Sequence, residues 1–259
     1  MDPAGALAPR VAAQLSVTRG VYAPGAWQPP HDHPFASLTL VLAGSLSETV
    51  GGRTEEAGPL SVVVKPPLVR HADRIGPRGA ATVRLTLPVD EHRALVEEGL
   101  PLQEWRWIHG GPVARALLSL ADAARAGSTE SLISEAWDAL ARVGGPLAPS
   151  QDPPRWLARV REEIDDRIGA PPRVRDLASE AGVHPVYLAR QFRRYFGCSV
   201  VAYRRWRRAR RAAALIGDSG LGLADVAHRC GFADHAHLSR EFRSLVGVGP
   251  RAFRRQARL

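Results

Sequence analysis

The sequence predicts a two-domain protein: an all-β domain with appended helices, then an all-α domain. Three observations carry that reading. Short branched apolar runs, broken by Gly and Pro, fill the N-terminal third. Helical spacing of apolar side chains takes over from Pro154. Within this helical stretch a single segment occurs twice, at a nearly constant offset.

The strands come first. Leu38 to Leu42 and Leu60 to Val64 are rich in branched apolar residues, as buried strands are. Ala81 to Leu87 alternates, which puts Thr82, Arg84 and Thr86 on one face. Turns are expected at Pro24-Gly25, Gly51-Gly52, Gly58-Pro59 and Gly76-Pro77. Closely spaced strands with such turns suggest a barrel or a sandwich. Asp90 to Gly99 then reads as a short helix. Val113 to Ala126 and Thr129 to Val143 read as a helical pair joined at Gly127-Ser128. Val113, Leu117, Leu120 and Ala124 share one face of the first, and Leu132, Ala136 and Leu140 one face of the second. Gly144 to Pro154 has the composition of a linker. A helix from Arg155 to Ile168 ends at Gly169, with Pro171-Pro172 beyond it. The boundaries that follow are 1–88 for the strands, 89–145 for a helical segment, 146–154 for the linker and 155–259 for the helical domain.

Charge separates the two halves. Residues 1–150 carry 13 basic and 15 acidic side chains, and residues 151–259 carry 22 and 11. The halves are therefore −2 and +11, and the second supplies the whole chain's +9. The basic residues are arginines, except for Lys65. Such asymmetry points to a polyanionic partner for the second domain, with nucleic acid or an anionic membrane as candidates. Two cysteines, Cys198 and Cys230, make no disulfide framework and read as buried thiols. No apolar run is long enough to span a bilayer, and the start of the chain lacks the pattern of a signal peptide. The expectation is a cytoplasmic protein with no membrane partner.

The repeat gives the charge a purpose. Asp176, Leu177, Ala178 and Gly182 match Asp225, Val226, Ala227 and Gly231 at an offset of 49. One inserted residue makes it 50, and Leu188, Arg190, Phe192, Arg193, Gly197 and Tyr203 match Leu238, Arg240, Phe242, Arg243, Gly247 and Phe253. Each copy reads as helix, tight turn, helix. Gly182 and Gly231 stand where the first helix ends in a residue that accepts positive φ. Pro185 suits the first position of the next helix, and Asp234 suits its cap in the second copy. Leu188 and Phe192, like Leu238 and Phe242, face inward, which turns Arg190 and Arg193, and Arg240 and Arg243, elsewhere.

Residues 155–256 resemble the AraC/XylS family of bacterial transcription regulators. The resemblance is most specific in Asp225-x-Ala227-x3-Gly231-Phe232-x-Asp234-x3-Leu238-Ser239-Arg240-x-Phe242-Arg243-x3-Gly247-x2-Pro250. It implies two helix-turn-helix units, joined here by a helix from about Val200 to Ile216, that enter successive major grooves of double-stranded DNA. By position it puts Val186, Ala189 and Arg190 at base edges in the first unit, and His235, Ala236, Ser239 and Arg240 in the second. Arg193, Arg194 and Arg243 complete the DNA-facing set. Arg207, in the basic run Arg204-Arg205-x-Arg207-Arg208-x-Arg210-Arg211, is expected on phosphate. Two departures stand out: Gly249 where the family usually has Ser, and His184 where a capping Ser is common.

The N-terminal domain resembles the cupins, small β-barrels with a ligand cavity. Gly25-x5-His31-x-His33-x3-Ser37-x6-Gly44 follows the first cupin motif with Ser37 in place of Glu. Pro66-x-Leu68-x2-His71 follows a portion of the second, with Leu68 in place of Gly. His31, His33 and His71 are read either as ligands of a divalent metal (Zn, Ni, Fe or Cu) or as the lining of an organic-ligand pocket. The combined resemblance implies a sensor for a small molecule or metal, a homodimer through the helical segment, and RNA polymerase as a further partner. A cupin metalloenzyme, a dioxygenase or isomerase with a DNA-binding appendage, is the alternative. The missing Glu disfavours it, and the expectation is a protein that is not an enzyme.

Overall fold

The computed structural model describes residues 15–124, 135, 137–141, 153–170, 172–196, 198–218 and 220–258. Seven strands come first: β1 (Ser16–Tyr22), β2 (Trp27–His31), β3 (Ala36–Val50), β4 (Arg53–Ala57), β5 (Ser61–Lys65), β6 (His71–Leu87) and β7 (Arg106–His109). They form one antiparallel sheet in the order β1-β6-β3-β5-β7, with β2 also on β6 and β4 also on β3.

Two long strands, β3 and β6, hold the sheet together. Their register slips between Val41 and Ala43 and between Gly44 and Leu46. At the slip Gly44 has φ +69, and a Cβ there would lie 1.8 Å from the Gly79 carbonyl oxygen, so only glycine fits. The expected turn at Gly76-Pro77 is absent, because these residues lie inside β6 beside the slip in β3. A bulge accepts the proline that a regular central ladder would not. The expected closed barrel is not seen either. Among the described residues β1 and β7 do not pair, so the strand path stays open.

The two faces of the sheet differ in kind. Leu38, Leu40, Leu42, Val62, Val64, Val83, Leu85 and Leu87 point to one side. There they meet α2 (Gly111–Ala124), which follows α1 (Val89–Glu97). Val113, Leu117 and Leu120 of α2 are fully buried in this chain's own core. That face is therefore covered by the sheet of the same chain. Its expected helical partner and the linker fall largely outside the described residues. Across the sheet, Val41, Val63, Ile75 and Trp107 form a smaller cluster amid polar side chains.

The second domain has seven helices among its described residues: α3 (Arg155–Asp166), α4 (Val174–Glu180), α5 (Pro185–Phe196), α6 (Val200–Asp218), α7 (Leu223–Arg229), α8 (His235–Val246) and α9 (Pro250–Ala257). Units one (α4-α5) and two (α7-α8) hang on the long α6, as expected. Their cores are unequal. Unit one closes on its own cluster of Leu157, Val160, Ile164, Leu177, Leu188, Phe192 and Val200. Unit two shares one continuous core with the sheet, through Ala209, Ala212, Ala213 and Ile216 of α6 and Phe242 and Phe253.

Arg210 joins the domains. Its guanidinium donates to the Pro59 carbonyl and to Ser61 Oγ, at 3.4 and 3.2 Å. Burial, reinforced by nearby Arg207, lowers its pKa to about 10, so it remains charged at neutral pH. Truncating it strands these acceptors. Arg210→Ala is expected to cost about 1–3 kcal/mol in urea unfolding. No measurable change would show that the contact contributes nothing.

Candidate nucleic-acid interface and sensor site

The turns of both units follow from their glycines. Gly182 and Gly231 have φ +66 and +70. At Gly231 a Cβ would also meet the Gly169 carbonyl oxygen at 2.1 Å, so the end of α3 presses on the turn of unit two. Asp234 caps α8: its carboxylate accepts from the His237 amide at 2.6 Å, which holds its pKa below the usual range. His184 caps α5 through a ring nitrogen, Nδ1 accepting from the Val186 amide at 3.3 Å.

These caps aim two equivalent helices. On α5, Leu188 and Phe192 are fully buried while Val186, Ala189, Arg190, Arg193 and Arg194 are exposed. With Ser199 these five line one shallow concavity. Val186 is 70% exposed. Arg190 lies over the Tyr187 ring at 5.4 Å. On α8, Leu238 and Phe242 are buried, while His235, Arg240 and Arg243 are exposed and Ala236 and Ser239 partly so. The Ser239 hydroxyl donates to the His235 carbonyl at 2.8 Å and keeps its lone pairs for an incoming donor.

Arg207 is placed differently from the rest. It makes a close charge contact with Asp165 of α3 at 2.6 Å, without the alignment of a hydrogen bond. A phosphate contact would require it to give up that partner. Its neighbours are similarly engaged. Arg205 pairs with Glu241 at 2.9 Å, and Arg208 donates to the Cys230 and Gly231 carbonyls. Much of the basic run thus fastens α6 to what surrounds it. Both cysteines are free, Cys230 buried and Cys198 half-buried, and burial pushes the Cys230 thiol up to about 11.

In the sheet domain His31, His33 and His71 come together, with one nitrogen of each within 4.8 Å of the others. His31 Nδ1 lies 2.8 Å from the Pro29 carbonyl and His71 Nδ1 2.8 Å from the Val69 carbonyl. Both Nδ1 atoms therefore donate, and both Nε2 lone pairs are left for a ligand. His71 Nε2 is buried without a hydrogen-bond partner, 3.9 Å from Asp73. Burial, then the charge of Lys65, lowers the His71 pKa to about 4, and burial and His31 lower that of His33. Ser37 lies buried at its motif position. Sequence reasoning missed Asp73 and the buried Glu48–Lys65 pair at 2.6 Å, because neither belongs to a motif.

A family model described as a helix-turn-helix domain matches residues 177–256. GlxA, an HTH-type transcriptional regulator of Rhizobium meliloti, is 32% identical over 47% of this chain and 40% of its own length. The regulatory protein PocR of Salmonella typhimurium is 29% identical over 39% of this chain and 33% of its own. The chain thus spans well under half the length of these relatives. A crystal structure of ToxT from Vibrio cholerae O395 aligns over 94% of this chain and 97% of that one, at 13% identity and a TM-score of 0.41. The matched segment makes residues 177–256 a helix-turn-helix domain, with exposed arginines repeated on its two capped helices.

Proposed function

We propose that this chain is a sequence-specific, DNA-binding transcription regulator whose sheet domain senses a small ligand or a metal ion. The observation that carries the proposal is the duplicated exposed helix face, with Arg190 and Arg240 at matching positions. An arginine there can grip guanine O6 and N7 with two hydrogen bonds. The 19 residues of α6 make a rod of about 28 Å, comparable to the roughly 34 Å turn that separates successive major grooves. Val186 and Ala189 have no hydrogen-bonding side chain, so unit one reads through Arg190 and methyl contacts while unit two carries more of the discrimination.

Selection of bound duplexes from a random pool tests this. A shared sequence should emerge, and Arg240→Ala should lose about 1–3 kcal/mol on it with relaxed preference at one base pair. Equal losses on selected and random duplex would remove the base-reading role of Arg240.

The three imidazoles fit a divalent metal, with the Asp73 carboxylate 3.9 Å from His71 Nε2. The fixed Nε2 lone pairs of His31 and His71, the latter buried without a partner, support that reading over a purely organic lining. A bound metal would supply a Lewis-acidic anchor for an effector. Metal analysis of the purified protein is expected to find about one divalent ion per chain, largely lost in His71→Ala. Equal metal content in both proteins would leave the histidines as ligand-pocket lining. Response to the effector, pairing with a second copy and contact with RNA polymerase belong to the same proposal.

A further inference from the structure

The face of the sheet away from α2 carries more polar chemistry than packing requires. Ser37, Thr39, Lys65, His71, Asp73 and Thr82 are all buried. Lys65 is matched by Glu48. Arg84 is not matched: it is partly buried, and no carboxylate or hydrogen-bond acceptor among the described residues engages it. It stands directly across from Thr39 in the β3–β6 register. Thr39 is 3% exposed, and its Oγ1 has no hydrogen-bond partner. Across the next strands the same row continues through Val63 to Trp107, whose indole nitrogen is also buried and unpartnered. On the same face the neighbouring pair Ser37–Lys65 leads through the Lys65–Glu48 contact at 2.6 Å and the Glu48–Asp73 register pair to His71, 3.9 Å from Asp73.

Buried polar atoms rarely go unpartnered, so several of them on one face call for a partner such as a water, an ion or a ligand. We infer that the face of the sheet away from α2 binds a small organic carboxylate, gripped by Arg84 and Thr39 on the same face as His71. The chemistry selects this class. A guanidinium offers a planar pair of N–H donors that matches a carboxylate's two oxygens. The Thr39 hydroxyl adds a third donor beside it, and the Trp107 indole N–H offers another along the row. A neutral polyol would leave the Arg84 charge uncompensated. The inference rests on the sensor reading above, but its test uses no DNA, so the two can fail separately.

The full-length chain is titrated with acetate, lactate and tartrate, with the neutral counterparts 1,2-propanediol and erythritol, and with inorganic phosphate. Tryptophan fluorescence reports binding, since Trp107 stands on the same face. At least one carboxylate is expected to shift the emission saturably while its neutral counterpart does not. Arg84→Met should weaken that carboxylate tenfold or more, Arg84→Lys less, and the near-isosteric Thr39→Val several-fold with an unchanged thermal midpoint. The inference is overturned if no carboxylate binds, if the neutral counterparts bind as well, if phosphate alone binds, or if Arg84→Met and Thr39→Val both retain full affinity.

Discussion

Raising the salt concentration from 50 to 200 mM is expected to weaken binding to duplex DNA about a thousandfold. Each phosphate neutralised by an arginine releases condensed counterions, which gives a slope of about −0.9 in log affinity per log salt. Arg190, Arg193, Arg194, Arg240 and Arg243 are exposed on α5 and α8, and Arg211 is exposed on the joining helix α6. If all six touch phosphate or sit in its field, the slope is about −5. Arg207 is not in this set, because Asp165 already holds it. Its replacement by Ala should loosen unit one while leaving the slope unchanged. Affinity measured across a salt series checks both statements. A flat response would sink the DNA-binding reading altogether.

The second large effect concerns two phenylalanines that the sequence makes equivalent. Phe192 and Phe242 occupy the same repeat position and both are fully buried. Either change to Ala should cost about 3–5 kcal/mol, the lost burial plus the cavity left behind. The reach of the damage should differ. Phe192 belongs to the separate core of unit one. Phe242 packs on Phe253, ring centroids 5.4 Å apart, inside the core that runs on into the sheet. Amide exchange resolved by peptide should therefore quicken in unit one alone for Phe192→Ala, but in unit two, α2 and β3 for Phe242→Ala. Unchanged exchange in β3 for the second variant would mean that the shared core is not cooperative.

Local signals were legible, and partners brought in from afar were not. The strand runs, the joining helix, both turns, the Asp234 cap and the exposed faces of α5 and α8 follow from spacing, glycine and charge. The histidine trio also comes together as its motif implies. The partners of the basic run of α6, Asp165, Glu241 and Ser61, could not be read ahead, because they lie on other elements, far away in sequence. Gly76-Pro77 has the composition of a turn and became a stretch of bent strand, since the slip at Gly44 absorbs it. The α2 face shows apolar spacing that is the same whether the sheet or a second copy covers it.

The continuity of that core bears on how the molecule can be cut. A fragment beginning at Arg155 would keep the packing of unit one intact. It would also expose Ala209, Ala212, Ala213 and Ile216 of α6, together with the back of α8, to water. Such a patch invites self-association. The two clusters separate within α6, between Tyr203 and Trp206. An engineer wishing to exchange readers would do better to swap unit one alone at that point than to sever the chain where its composition changes.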